Sequence, residues 1–193
     1  MVEAFTKRLR ENPKLVENRG FLTQAYWRRA IARDRLKRYG DAAGDWAAAA
    51  ELADDPMDQA FYLAHRGSSL ARTGDKKTAA PIFAAALQQA EVVLKGKDLP
   101  GMVYYDAAAV MSLAAGGLAD TTVAKKYASE AVRLLRRAAS VGFLSDPAQV
   151  KKLRLAFEYS ALHEREDFKK LLAELDAKFP PPPELAPPPK AVK

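Results

Sequence analysis

A spacing of small and large residues that recurs along the chain limits its fold more than any other feature. Leu63, Arg66, Gly67 and Leu70 set a small residue among large ones on one helical stretch. Gly74-Asp75 breaks that helix, and Ala79, Phe83 and Ala86 follow on a second. A glycine in mid-helix lets a neighbouring helix approach to contact. Ala79 and Ala86 do the same from the other side, seven residues or about two turns apart, and Phe83 fills the space between. The glycine turn folds the pair back antiparallel. The same frame fits upstream, where Tyr26, Ala30 and Arg33 precede Ala42, Trp46 and Ala49. Ala30 to Gly67 is 37 residues and Ala42 to Ala79 is again 37, with Asp54-Asp55-Pro56 at the boundary. A third unit sets Tyr104, Ala108 and Met111 before Ala131, Leu135 and Ala138, but its two leading small residues are 23 apart instead of 12. The 11 extra residues around Ala114 to Thr122 predict an enlarged turn or a longer first helix.

Composition agrees with helices packed closely on helices. Hydrophobic residues make up 49% of the chain, and alanine, the best helix former and the least bulky, carries much of that fraction. No long alternation of apolar and polar residues marks a strand. Residues 2–11 read as a short amphipathic helix, with Val2, Phe5 and Leu9 on one side, packing on the first unit. Thr78 reads as a helix N-cap, which puts Pro81 in a first turn where no donor is lost. Asp146-Pro147 opens a further helix, and Leu162, Phe168, Leu171 and Leu172 follow. From residue 179 the prolines 180–183 and 187–189 give an extended, disordered tail.

The paired-helix pattern resembles the tetratricopeptide repeat (TPR), Trp-x2-Leu-Gly-x2-Tyr, then Ala-x3-Phe, then Ala, with a consensus length of 34. Residues 143–178 resemble the closing segment of TPR arrays in bacterial proteins, including those appended to serine/threonine protein kinases. The resemblance implies an all-α, antiparallel helix-pair solenoid over residues 1–178. Its units fall at about 21–56, 59–95 and 101–142, with a cap at 143–178 over the open apolar face of the last repeat. It also implies that Ala30, Ala42, Trp46, Ala49, Gly67, Ala79, Phe83, Ala86, Ala108, Ala131, Leu135 and Ala138 carry the packing. Leading helices of such arrays line a concave groove for a peptide or helix. The implied positions are Gln24, Trp27, Ile31 and Asp34, then Phe61, Ala64, Ser68 and Arg72, then Met102, Tyr105, Ala109 and Ser112. One TPR subfamily grips a C-terminal carboxylate with Lys, Asn and Arg. The matching places hold Trp27, Ile31, Met102 and Asp106, so that clamp is absent.

The chemistry-bearing residues point away from catalysis. Cysteine is absent, so thiol catalysis and thiolate metal sites are excluded. His65 and His163 lie in different units, and no His-Glu-x-x-His occurs. Gly74-Asp75-Lys76-Lys77-Thr78 lacks the spacing of a phosphate loop, and no kinase motif is present. The expectation is no enzyme, no cofactor and no metal. No apolar run matches a signal peptide or a membrane span, which gives a cytoplasmic location as the default and no membrane partner. The expected partner is a protein or peptide, and exposed solenoid ends are surfaces on which copies can self-associate.

Two other readings compete. The first 38 residues hold 11 Lys/Arg against 4 Asp/Glu, which accounts for the whole net charge of +7. Arg28, Arg29, Arg33, Arg35, Lys37 and Arg38, beside Tyr26 and Trp27, suggest nucleic acid or another polyanion. Helical spacing scatters these cations around the helix, however, and they do not recur in later units, as a repeat that reads RNA would require. The second alternative is a structural piece of a larger assembly with no ligand of its own.

Overall fold

The computed structural model describes residues 16–179, and the expected helix at 2–11 and the proline-rich stretch from Pro180 lie outside them. The described residues are helical with no strand. Six helices form three hairpins, each closed by a three-residue turn: α1 Val16–Arg35 with α2 Tyr39–Leu52, α3 Pro56–Arg72 with α4 Lys76–Val93, and α5 Gly101–Gly117 with α6 Thr121–Ser140. Then come α7 Pro147–Leu155, a 3₁₀ segment Phe157–Leu162, and α8 Glu166–Lys178. Helices adjacent in sequence pack in pairs, α3 packs on both α2 and α5, and the 3₁₀ segment lies on α5. No helix among the described residues is long and apolar enough to cross a membrane.

Local sequence explains the boundaries. Asp55 caps α3 by accepting from the amides of Met57 and Asp58, with Pro56 in the first turn. Asp120 caps α6 and Asp146 caps α7 in the same way. Gly74 ends the α3 turn at φ +93°, a conformation that a side chain strains. Pro81 corrects the reading of α4. The cap is Asp75, which accepts from the Thr78 amide, so α4 starts earlier and Pro81 sits inside it. One backbone bond, to the Lys77 carbonyl, is lost there.

The third hairpin has no enlarged turn. Its turn, residues 118–120, is as short as those of the first two. Measured from the small residues Gly67 and Ala108, α5 runs four residues further than α3, about one turn. Measured from Ala79 and Ala131, α6 begins seven residues earlier than α4, about two turns. The 11 extra residues therefore lengthen both helices at the far end of the hairpin.

The twelve residues expected to carry the packing, from Ala30 to Ala138, are buried, while Tyr26, Leu63, Leu70 and Tyr104 of the same frame are half-buried. Phe83, fully buried, is the wedge of the second hairpin. A Cβ added at Gly67 would stand 2.8 Å from its ring, and one at Gly117 would also run into that ring. One aromatic side chain thus holds α3, α4 and α5 at close range, where only glycine leaves room. Its cluster continues through α5 and α6 to Leu153, Tyr159, Phe168 and Leu175 of the C-terminal elements. A smaller cluster of Ala30, Ala42 and Trp46, flanked by Trp27, Ile31 and Tyr62, centres the first hairpin.

Gly67→Ala is expected to lower stability in urea denaturation by about 1–3 kcal/mol, although alanine in an open helix position would add about 1 kcal/mol. Phe83→Leu combined with Gly67→Ala is expected to recover part of that loss, because the shorter side chain vacates the space. Equal or greater stability of Gly67→Ala alone would show that the ring does not fill that gap.

Candidate functional site

The first hairpin is joined to itself and to the second by polar contacts among aromatic rings. Asp45 of α2 is buried, at 4% exposure, and receives two guanidinium groups from α1. Arg29 donates to it from Nε at 2.8 Å and from Nη2 at 2.6 Å, and Arg33 donates from Nη1 at 2.6 Å. A buried carboxylate needs such partners, and bidentate arginine is the strongest available. The two helices of the first hairpin are thus joined by charge pairing on a buried carboxylate. Arg38 pairs with Asp41 and Arg19 with Asp54. Of the basic cluster, Arg28, Arg35, Lys37 and Arg38 are exposed, and the first three have no ion pair among the described residues.

Asp34, near the end of α1, ties the hairpins together. Trp46 Nε1 of α2 donates to it at 2.9 Å, and Ser69 Oγ of α3 donates at 2.8 Å. The Trp46 ring stacks on His65 of α3 at 4.3 Å between centroids, and the Phe61 ring meets His65 edge-on at 4.5 Å. His65 Nε2 in turn lies 3.4 Å from Glu158 Oε1 in the 3₁₀ segment. Burial pushes the Glu158 carboxyl up, but the contact with His65 and the charges of His65 and Lys152 outweigh it and leave the pKa lowered.

That contact belongs to a larger cover. The 3₁₀ segment crosses α5 on the side that was to form the third part of an open groove. Tyr159 is buried there, and its hydroxyl donates to the Tyr105 carbonyl at 2.9 Å. The Tyr105 ring packs against Phe143 and Tyr159. Tyr105 at 7% and Ser112 at 0% exposure are therefore core positions and not groove positions. Ala64, Ser68 and Ala109 are buried too. A residual cavity of about 270 Å³ lies under the cover between Ser68, Ser112 and Ala161.

The other groove candidates are dispersed. Gln24 is exposed on α1, Trp27 is half-buried on the cluster around Trp46, and Met102 is exposed at the start of α5. Ile31, Asp34 and Arg72 do come together. They line an open cleft of about 680 Å³ between the end of α1 and the C-terminal elements. Its far wall is Lys152, Leu155 and Phe157, and Trp46 and His65 form part of its lining. The Arg72 guanidinium sits 3.9 Å from the centroid of the Phe157 ring and 5.1 Å from that of Tyr39. Sequence reasoning missed the far wall entirely. Nothing in the spacing of residues 150–160 announces that they fold back over α3 and α5. Set against known protein families, characterised proteins and solved structures, the chain matches none of them.

Asp106 of α5 is the most strongly perturbed carboxyl on this side. Burial, then the neighbouring Asp58 and Asp55 charges, push it up to about 6, with Lys152 opposing. An unfolded aspartate ionises near 4. Between those pH values the folded chain keeps a proton that the unfolded chain has lost, so this group makes stability fall as pH rises from about 4 through about 6. Asp106→Asn is expected to raise stability at pH 7.5 by on the order of 3 kcal/mol and to change it little at pH 4. Urea titrations at the two pH values would check this, and a gain of equal size at both would exclude ionisation as its cause.

Proposed function

We propose that this chain is a non-catalytic scaffold of the TPR type that holds a segment of another protein. The open cleft is the observation that carries this reading. Helix hairpins with buried small residues supply a rigid frame. On that frame the cleft between α1, Arg72 and the C-terminal wall combines apolar surface with several side chains able to hydrogen-bond. A volume of about 680 Å³ is the size of a pocket for a few side chains or a small ligand. The binding position shifts from the groove expected along all three leading helices to its first part, since the cover occupies the rest.

The reading as a nucleic-acid binder draws on Arg28, Arg35 and Lys37, which have no ion pair among the described residues. It is weakened because Arg19, Arg29, Arg33 and Arg38 are engaged by carboxylates. A basic stripe for a phosphate backbone needs those charges free.

Site-specific photo-crosslinking in cells would test the proposal. A crosslinker at Leu155, 70% exposed on the cleft wall, is expected to trap a discrete protein partner. The same group at Ala84, exposed on α4, is expected to trap none. Equal trapping at both positions, or none at Leu155, would contradict the assignment of the cleft.

A further inference from the structure

The cations on the cleft walls make no direct ion pair within the described residues. Arg35 and Lys37 stand on the α1 side, Arg72 at the end of α3, and Lys152 on α7. None of the four has a carboxylate within ion-pair distance among the described residues. The two acids of the cleft are engaged from inside: Asp34 accepts from Trp46 and Ser69, and Glu158 faces His65. The cleft therefore sets four cations against the two carboxylates of Asp34 and Glu158, a lining of net positive charge. In the same hairpin, Arg29, Arg33 and Arg38 all meet carboxylates, whereas Arg35 and Lys37, at the cleft, do not. Beside Lys152 the far wall carries apolar surface. Leu155 is 70% exposed and Phe157 is 39% exposed.

Resting on the reading of this cleft as a protein-binding site, we propose that its occupant is an acidic peptide segment carrying one bulky apolar residue. Carboxylates on either side of that residue meet Arg35 and Lys37 on one wall and Arg72 and Lys152 on the other. The apolar side chain seats against Leu155 and Phe157 and removes their surface from water. Charge complementarity selects the acidic partner and repels a basic one. Arg72, held over the Phe157 and Tyr39 rings, is already fixed in place and loses little side-chain freedom on binding.

Fluorescence anisotropy with defined probes tests this on the full chain. The probes are labelled peptides with the cores Glu-Glu-Leu-Glu-Glu, Glu-Glu-Ala-Glu-Glu and Lys-Lys-Leu-Lys-Lys, and a ten-nucleotide oligothymidine. At about 50 mM salt, where exposed charges are only partly screened, the acidic leucine peptide is expected to bind most tightly. Lys152→Gln on one wall and Arg35→Gln with Lys37→Gln on the other are expected to weaken it, by about ten-fold when all three are combined. Replacing the leucine by alanine is expected to weaken it as well. Because these side chains make no ion pair in the fold, the variants should keep the helical circular dichroism of the parent. Equal binding of the acidic and basic peptides would overturn the charge selection while leaving a protein-binding cleft intact. Tighter binding of the oligonucleotide would overturn the proposal in favour of a polyanion site. Unchanged affinity in both sets of variants, or no binding of any peptide, would overturn it too, and the crosslinking result at Leu155 then decides separately whether the cleft binds protein at all.

Discussion

Close approach of helices around one buried ring is the constraint on which the rest of the structure depends. Phe83 reaches from α4 into a space bounded by Gly67 of α3 and Gly117 of α5, where a methyl group on either glycine would meet it. Dense packing of this kind tolerates little change in volume. It fixes the second hairpin against the third, and α5 in turn carries the 3₁₀ segment. The position of the cover over Tyr105 and Ser112 thus traces back to two residues without side chains.

The first hairpin is attached by different means. Its contact with α3 runs through Trp46, stacked on His65, and through Asp34, which accepts from Trp46 and Ser69. Its own two helices are joined by Arg29 and Arg33 on the buried Asp45. Polar junctions have strict geometry, and removing one partner leaves a buried charge unpaired at a cost of about 3–5 kcal/mol. Such a junction sets where α1 lies, and so sets the width of the cleft between α1 and Lys152.

Much of the fold was legible in the sequence because helix packing writes itself in residue size. The 12-residue step from Gly67 to Ala79 and from Ala30 to Ala42 reports a short turn, and in both hairpins it is one. The same logic misread the third hairpin, since a 23-residue step looks alike whether the turn or the helices grow. Asp120 was the available signal, as it caps α6 immediately after the turn. The candidate site was legible only in part. Ile31 and Arg72 line the cleft, but Tyr105 and Ser112 were expected to be open and are core. The reason is long-range: whether a helix face stays open depends on what folds back over it, and residues 156–162 carry no periodicity that names their target. The partner of Arg33 was within reach of the sequence, since Asp45 stands at the same 12-residue step from it as Ala42 from Ala30.

In this structure the C-terminal segment lies on the third hairpin and covers the part of the expected groove that Tyr105 and Ser112 were to line. Disulfide trapping tests it directly, because the chain has no cysteine of its own. A Cβ at Gly116 would stand 3.5 Å from that of Ala161, close to the separation of about 3.8 Å in a relaxed disulfide. Gly116→Cys combined with Ala161→Cys is predicted to oxidise readily and completely in the folded protein, with no free thiol by titration and one intramolecular link by mass spectrometry. Free thiols that persist in the folded protein under mild oxidation, or that link only between molecules, would contradict the account.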